Sequence, residues 1–207
     1  MKGAIMTGRR TLAALLAISA LVLIPSTVAA AASEDESSDA TTYMPMVARG
    51  FDAEVAEKNG FRIVTNEDGS QQSIPVTEKA AALLADGERL RAAAQGTDAA
   101  RAGGDCGTSW LSGSKLANDT VGFTTGFQVY LAVYEHDWKV IATGFWTGGN
   151  WTTSGSGPVS GYKNWQSAIY NVVGPGIAGV PSYSSSAAAI LVDGTVCYST
   201  GPSFAFG

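Results

Sequence analysis

Apolar and polar positions change rhythm several times along this chain. From Leu12 to Ile24 the residues are almost all apolar, behind Lys2, Arg9 and Arg10 and ahead of the small residues Ser26 to Ala32. A positive head, a short apolar core and a small-residue end are the zones of a secretory signal peptide. The core is short for a bilayer-spanning helix of about 20 residues, and no stop-transfer charges follow it. Residues 1–32 therefore read as a signal peptide cut near Ala30 to Ala32. Arg9 and Arg10 also admit the twin-arginine route, but Gly8 before the pair and the lack of a following Lys favour an ordinary positive head. No Cys ends the apolar zone, so there is no acceptor for a lipid anchor.

Ser33 to Thr42 is acidic and nearly devoid of apolar groups, so residues 33–50 are expected to be a disordered acidic linker. Periodicity then returns. Asp52 can cap a short helix running to Lys58, which Asn59 and Gly60 end in a left-handed turn. Phe61 to Thr65 and Gln71 to Val76 read as short strands around a turn, and Thr77 caps a second helix from Glu78 to about Ala94. This helix–hairpin–helix, residues 51–95, is too poor in large apolar side chains to be stable alone. With the glycine-bearing linker 96–104 it is either a propeptide released near Arg101 or Gly104 or a permanent spacer.

Beyond Gly104 the period becomes two. Phe127, Val129, Leu131 and Val133 alternate with Gln128, Tyr130, Ala132 and Tyr134, and the pattern resumes from Trp138 to Trp146. This predicts a long hairpin turning at Glu135, His136 and Asp137. Ala187 to Val192 and Thr195 to Ser199 form a second hairpin around Asp193 and Gly194, a pair suited to a type I′ turn. Further strands are expected at Thr108–Ser112, Val121–Thr125 and Ser203–Phe206, and Asn164–Val173 fits a strand or a short helix. The predicted fold for residues 105–207 is therefore all-β, an antiparallel sandwich or small barrel of six to eight strands with one disulfide, preceded by the signal peptide and a small α/β spacer or propeptide region.

Composition supports the boundary near Gly104: every arginine precedes it and all five tryptophans follow it. The make-up resembles exported proteins of high-GC Gram-positive bacteria, a likeness of composition alone. Cys106 and Cys197 are the two cysteines, and in an oxidising compartment they read as a structural bridge. With one histidine they cannot build a closed zinc site. A loop of about 90 residues closed in this way stabilises a fold by about 4 to 5 kcal/mol in the chain-entropy model. Lys115, Lys139 and Lys163 face five acids in this region, so there is no basic stripe for nucleic acid and no cationic face for membranes. The expected product is extracellular, without membrane contact once the signal is removed.

Candidate chemistry is sparse. His136 could act as a base oriented by Glu135 or Asp137, against the simpler reading of a solvated turn histidine. No G-x-S-x-G elbow, opposed carboxylates, metal-ligand spacing or phosphate-binding loop is found, so no catalytic residue, metal site or cofactor is assigned. The aromatic residues are more suggestive. Trp146, Asn150, Trp151, Tyr162 and Trp165, with Asn164 and Gln166 beside them, combine flat rings with amides in or near flexible turns, which suits a sugar-binding face. Trp110 and Trp138 read as core or hairpin-pair residues. The leading expectation is a secreted non-catalytic binding or interaction module whose partner is a polysaccharide or a cell-surface protein. The alternatives are a secreted inhibitor or antagonistic factor released from a propeptide, and a small extracellular hydrolase using His136.

Overall fold

The structure, a computed structural model, describes residues 41–94 and 104–207. The expected signal peptide, residues 33–40 of the acidic linker and the linker up to residue 103 lie outside the described residues. The chain begins with β1 (Thr42–Phe51), α1 (Ala53–Lys58), the hairpin β2 (Phe61–Thr65) and β3 (Gln71–Pro75), and α2 (Glu78–Ala94). Strands β4 (Gly107–Leu116), β5 (Thr120–Val129), β6 (Val133–Gly144), β7 (Gly148–Val159) and β8 (Tyr162–Ile169) follow. The chain ends with β9 (Gly176–Gly179), β10 (Ala187–Leu191), β11 (Thr195–Ser199) and β12 (Ser203–Phe206). From residue 104 onward there are nine described strands rather than six to eight.

One ten-stranded antiparallel sheet runs in the order β12-β9-β6-β10-β11-β1-β4-β5-β8, with β7 paired to β6. It curls into a sandwich-like shell. Leu111, Phe123, Phe127 and Ile169 from one half share a core with Trp138, Val140, Ala178, Leu191 and Phe206 from the other. Among the described strands no ladder joins β7 to β8. Only two residues, Ser160 and Gly161, join β7 to β8, yet β7 pairs with β6 and β8 with β5.

The expectation of disorder fails for residues 42–50, because β1 is a central strand. Met46 pairs with Ser199 of β11 on one side and with Gly107 of β4 on the other, and its side chain is fully buried. A strand bonded on both edges satisfies its polar backbone without needing a rich apolar sequence. Cys106 and Cys197 are bridged, with S–S 2.06 Å and Cα–Cα 5.9 Å. The bond joins β11 to the residue preceding β4, so it ties together the two strands that flank β1.

The helix–hairpin–helix forms as the capping signals predict, with Asp52 accepting from Val55 N at 3.0 Å and Thr77 Oγ1 accepting from Ala80 N at 3.2 Å. It docks on the sheet's own turns. Ala56, Phe61 and Ala80 bury Val192, with Leu131 and Tyr134 packed alongside, and Ser73 Oγ donates to Asp193 O at 2.7 Å. Arg91 donates to Asp105 O at 2.7 Å and its guanidinium lies 4.8 Å from the Tyr130 ring centre.

Two turn assignments change. The expected hairpin from Phe127 to Trp146 does not exist: the chain reverses at Tyr130 to Ala132, and Glu135, His136 and Asp137 lie within β6. Leu131 can occupy a turn because the α1–α2 cluster covers it. At the β10–β11 connection Gly194 N donates to Leu191 O at 2.9 Å, and of Asp193 and Gly194 only Gly194 has a positive φ, 84°. This is a three-residue turn with a left-handed glycine rather than type I′.

A chain beginning at Gly104 lacks β1 and leaves β4 and β11 with unpaired inner edges. It is expected to lose cooperative unfolding and to self-associate, as read by thermal melts and size-exclusion chromatography. A full chain cut between residues 94 and 104 by an engineered protease site should instead remain one native particle.

Candidate functional site

Strand alternation sorts the predicted site residues onto different faces. Trp151 and Trp165 face inward and pack against the core. The Trp165 ring centre lies 5.5 Å from His136, 5.8 Å from Phe127, 5.9 Å from Trp151 and 6.2 Å from Trp138. These indoles build an internal aromatic cluster, anchored where Trp138 Nε1 donates to Thr125 Oγ1 at 3.0 Å. Asn150 is exposed on β7, opposite Ile141. Trp146 is 83 % exposed beside Phe145, 73 % exposed, in the β6–β7 turn. That turn is firmly held: Phe145 N donates to Val173 O at 3.0 Å, and Thr147 Oγ1 donates to Asn171 O. The five predicted residues therefore do not form one surface.

Tyr162 belongs to a different assembly. On the outer face of β1, β4, β5 and β8 its ring stacks on Trp110 at 5.4 Å and 28°, and Tyr43 of β1 meets the other side of the group at 6.5 Å. Trp110 is 9 % exposed. Its indole lies against Gly126, where a Cβ would overlap Cζ2 and stand 2.9 Å from Cε2, and its Nε1 donates to Asn164 Oδ1 at 3.3 Å. Between these rings is a hollow of about 320 Å³, lined also by Thr41, Thr108, Ser112, Thr124 and Gln128. None of the residues lining this hollow is charged: Lys115 and Lys163 occupy alternate positions and point to the other side, and Arg49, farther along β1, lies over the Tyr183 ring. A hollow of about 430 Å³ on β6 and β7 differs, since Asp137 and Lys139 line it and the Trp138 ring is turned into the core.

Tyr43 and Trp110 are the residues missed by sequence reasoning. For Trp110 the signal was present as alternation, because Thr108, Trp110, Ser112 and Ser114 share one parity while Leu111 takes the other.

His136 is not a solvated turn residue. It faces inward at 6 % exposure, with Phe127 and Trp165 against its ring and Nδ1 without a hydrogen-bond partner. Glu135 and Asp137 are exposed on the opposite face of β6, so neither orients the imidazole as a catalytic carboxylate would. Burial first, and then the positive charge of Lys163, push the imidazole's affinity for protons below its ordinary value, partly offset by Asp137. Asp193 moves the other way. Burial raises its pKa, against hydrogen bonds from Thr195 N at 2.9 Å and Thr195 Oγ1 at 2.8 Å.

No protein-family model, curated protein or solved structure matches this chain. The candidate site rests on its own geometry.

A histidine whose folded pKa is depressed contributes full stability above its unfolded value of 6.5 and loses it as pH falls toward the folded value. Thermal midpoints should drop between about pH 7.5 and about pH 5.5, and the drop should shrink in His136→Gln. Asp193 has the opposite sign, with stability lost as pH rises through its folded value, so Asp193→Asn isolates the histidine's share.

Proposed function

We propose that the chain is a secreted, non-catalytic binding module whose outer β1–β4–β5–β8 face holds a neutral glycan. One observation carries this reading: three rings in contact, Tyr43, Trp110 and Tyr162, line a hollow whose other lining residues are hydroxyls and an amide without a charge. Sugar rings present C–H faces that stack on aromatic rings, and their hydroxyls need fixed donors and acceptors. A hollow without charged lining also spares a neutral ligand the cost of desolvating an unpaired ion. The platform is preorganised, because Trp110 is locked by Gly126 beneath it and Asn164 beside it.

The exposed Phe145–Trp146 turn favours a second reading, an interaction module or antagonistic factor that inserts two rings into a pocket of a cell-surface protein. This version keeps residues 42–94 attached, since their loss removes the central strand. The two readings separate by mutation: Trp146→Ala abolishes retention on a protein partner and leaves glycan retention unchanged.

For the glycan reading, Tyr162→Ala and Tyr43→Ala should weaken retention on immobilised polysaccharide by roughly threefold to tenfold each. Their thermal midpoints should stay near the parent's, because both side chains are substantially exposed. Trp110→Ala should lose both binding and about 3 to 5 kcal/mol of stability. Retention should be the same at about 0.05 M and about 0.5 M salt, and a steep salt dependence would point to a charged ligand instead.

A further inference from the structure

We infer that this face binds an extended, unbranched run of neutral sugar units laid along β8, rather than a single terminal sugar; the inference rests on the glycan reading. The hollow between Tyr43 and Tyr162 does not stop at the aromatic platform. A second hollow of about 560 Å³ continues from it, sharing Ser112 and Thr124 as lining residues, and runs to the exposed ring of Tyr170. Its floor is low. Ala168 supplies little bulk on the outer face, Gly122 leaves room for the Leu116 side chain to lie close to the sheet, and Ser114 and Gln166 supply a hydroxyl and an amide.

The dimensions decide the ligand's shape. Tyr162 opens β8 and Tyr170 is the first residue past its end, eight residues on, which at roughly 3.3 Å per residue is about 26 Å. The width across β4, β5 and β8 is two strand spacings, about 10 Å. A trough of that proportion, with a ring at each end and small polar groups between, suits a chain of several units. One terminal sugar would fill only the Trp110 end and leave Tyr170 with no role. Leu116 lies over Gly122 and forms one wall of the far half, which keeps the trough narrow and disfavours branches there.

The test is an array of neutral oligosaccharides of two to eight units, drawn from β-linked glucose, N-acetylglucosamine, mannose and galactose chains, followed by calorimetry on the best series. The expected result is affinity that rises at least tenfold from the shortest to the longest member. Tyr170→Ala should remove this gain and leave the shortest member's affinity unchanged, whereas Tyr162→Ala should weaken every length. Equal affinity at all lengths, or a gain that survives Tyr170→Ala, overturns the extended-chain inference and leaves the glycan reading standing. Binding to none of the array by folded protein overturns both.

Discussion

The fold depends on a strand that arrives before the disulfide-closed loop begins. β1 is bonded to β11 on one edge and to β4 on the other, so among the described strands it connects the β4–β5–β8 half of the sheet order to the β11–β10–β6 half. The Cys106–Cys197 bond spans the same junction. One device is covalent and restricts the unfolded chain; the other is a pair of backbone ladders that exists only in the native state. They serve different ends. The bridge lowers the entropy lost on folding, while β1 sets the register that brings Tyr43 beside Trp110. The candidate site is therefore assembled from segments on both sides of the segment 95–103, and the strand that joins the two halves of the sheet also supplies one of its rings.

What could be read from sequence was local. Caps at Asp52 and Thr77, the stop at Asn59 and Gly60, the β10–β11 hairpin and the cysteine pair all depend on neighbours in sequence or on compartment chemistry, and all appear in the structure. What could not be read was set by partners far away. β1 carries Met44, Pro45 and Met46 in a weak pattern next to an acidic run, and its place in the sheet is decided by β4 and β11. The reversal at Tyr130 to Ala132 was hidden for the same reason. Leu131 looks like a strand residue until α1 and α2 are there to cover it, so the most polar triplet, Glu135 to Asp137, attracted the turn instead.

The aromatic residues show the same limit at the level of the site. Grouping Trp146, Trp151, Tyr162 and Trp165 by closeness in sequence ignores that a strand sends successive side chains to opposite faces. Parity separates them. Trp151 and Trp165 go to the core with His136, and Tyr162 goes outward to meet Trp110 and Tyr43, residues about 50 and 120 positions earlier. The proposed sugar-type chemistry has a compositional basis, in strands rich in Ser, Thr, Asn, Gln and rings. The location was not legible there, because it needs the pairing of β1 with β4 and of β5 with β8.

Consecutive strands joined by two residues ordinarily zip together, and β7 and β8 do not. Along that line the wall is held by Trp151 against Trp165, with Gly149 close to Ile169. Ring contacts tolerate sliding, whereas a ladder is either in register or broken. The shell thus has a compliant seam on one side and a rigid spine at β1 on the other. Local opening is therefore expected to start along the β7–β8 line, on which Tyr162 itself stands, and to reach the doubly bonded β1 last.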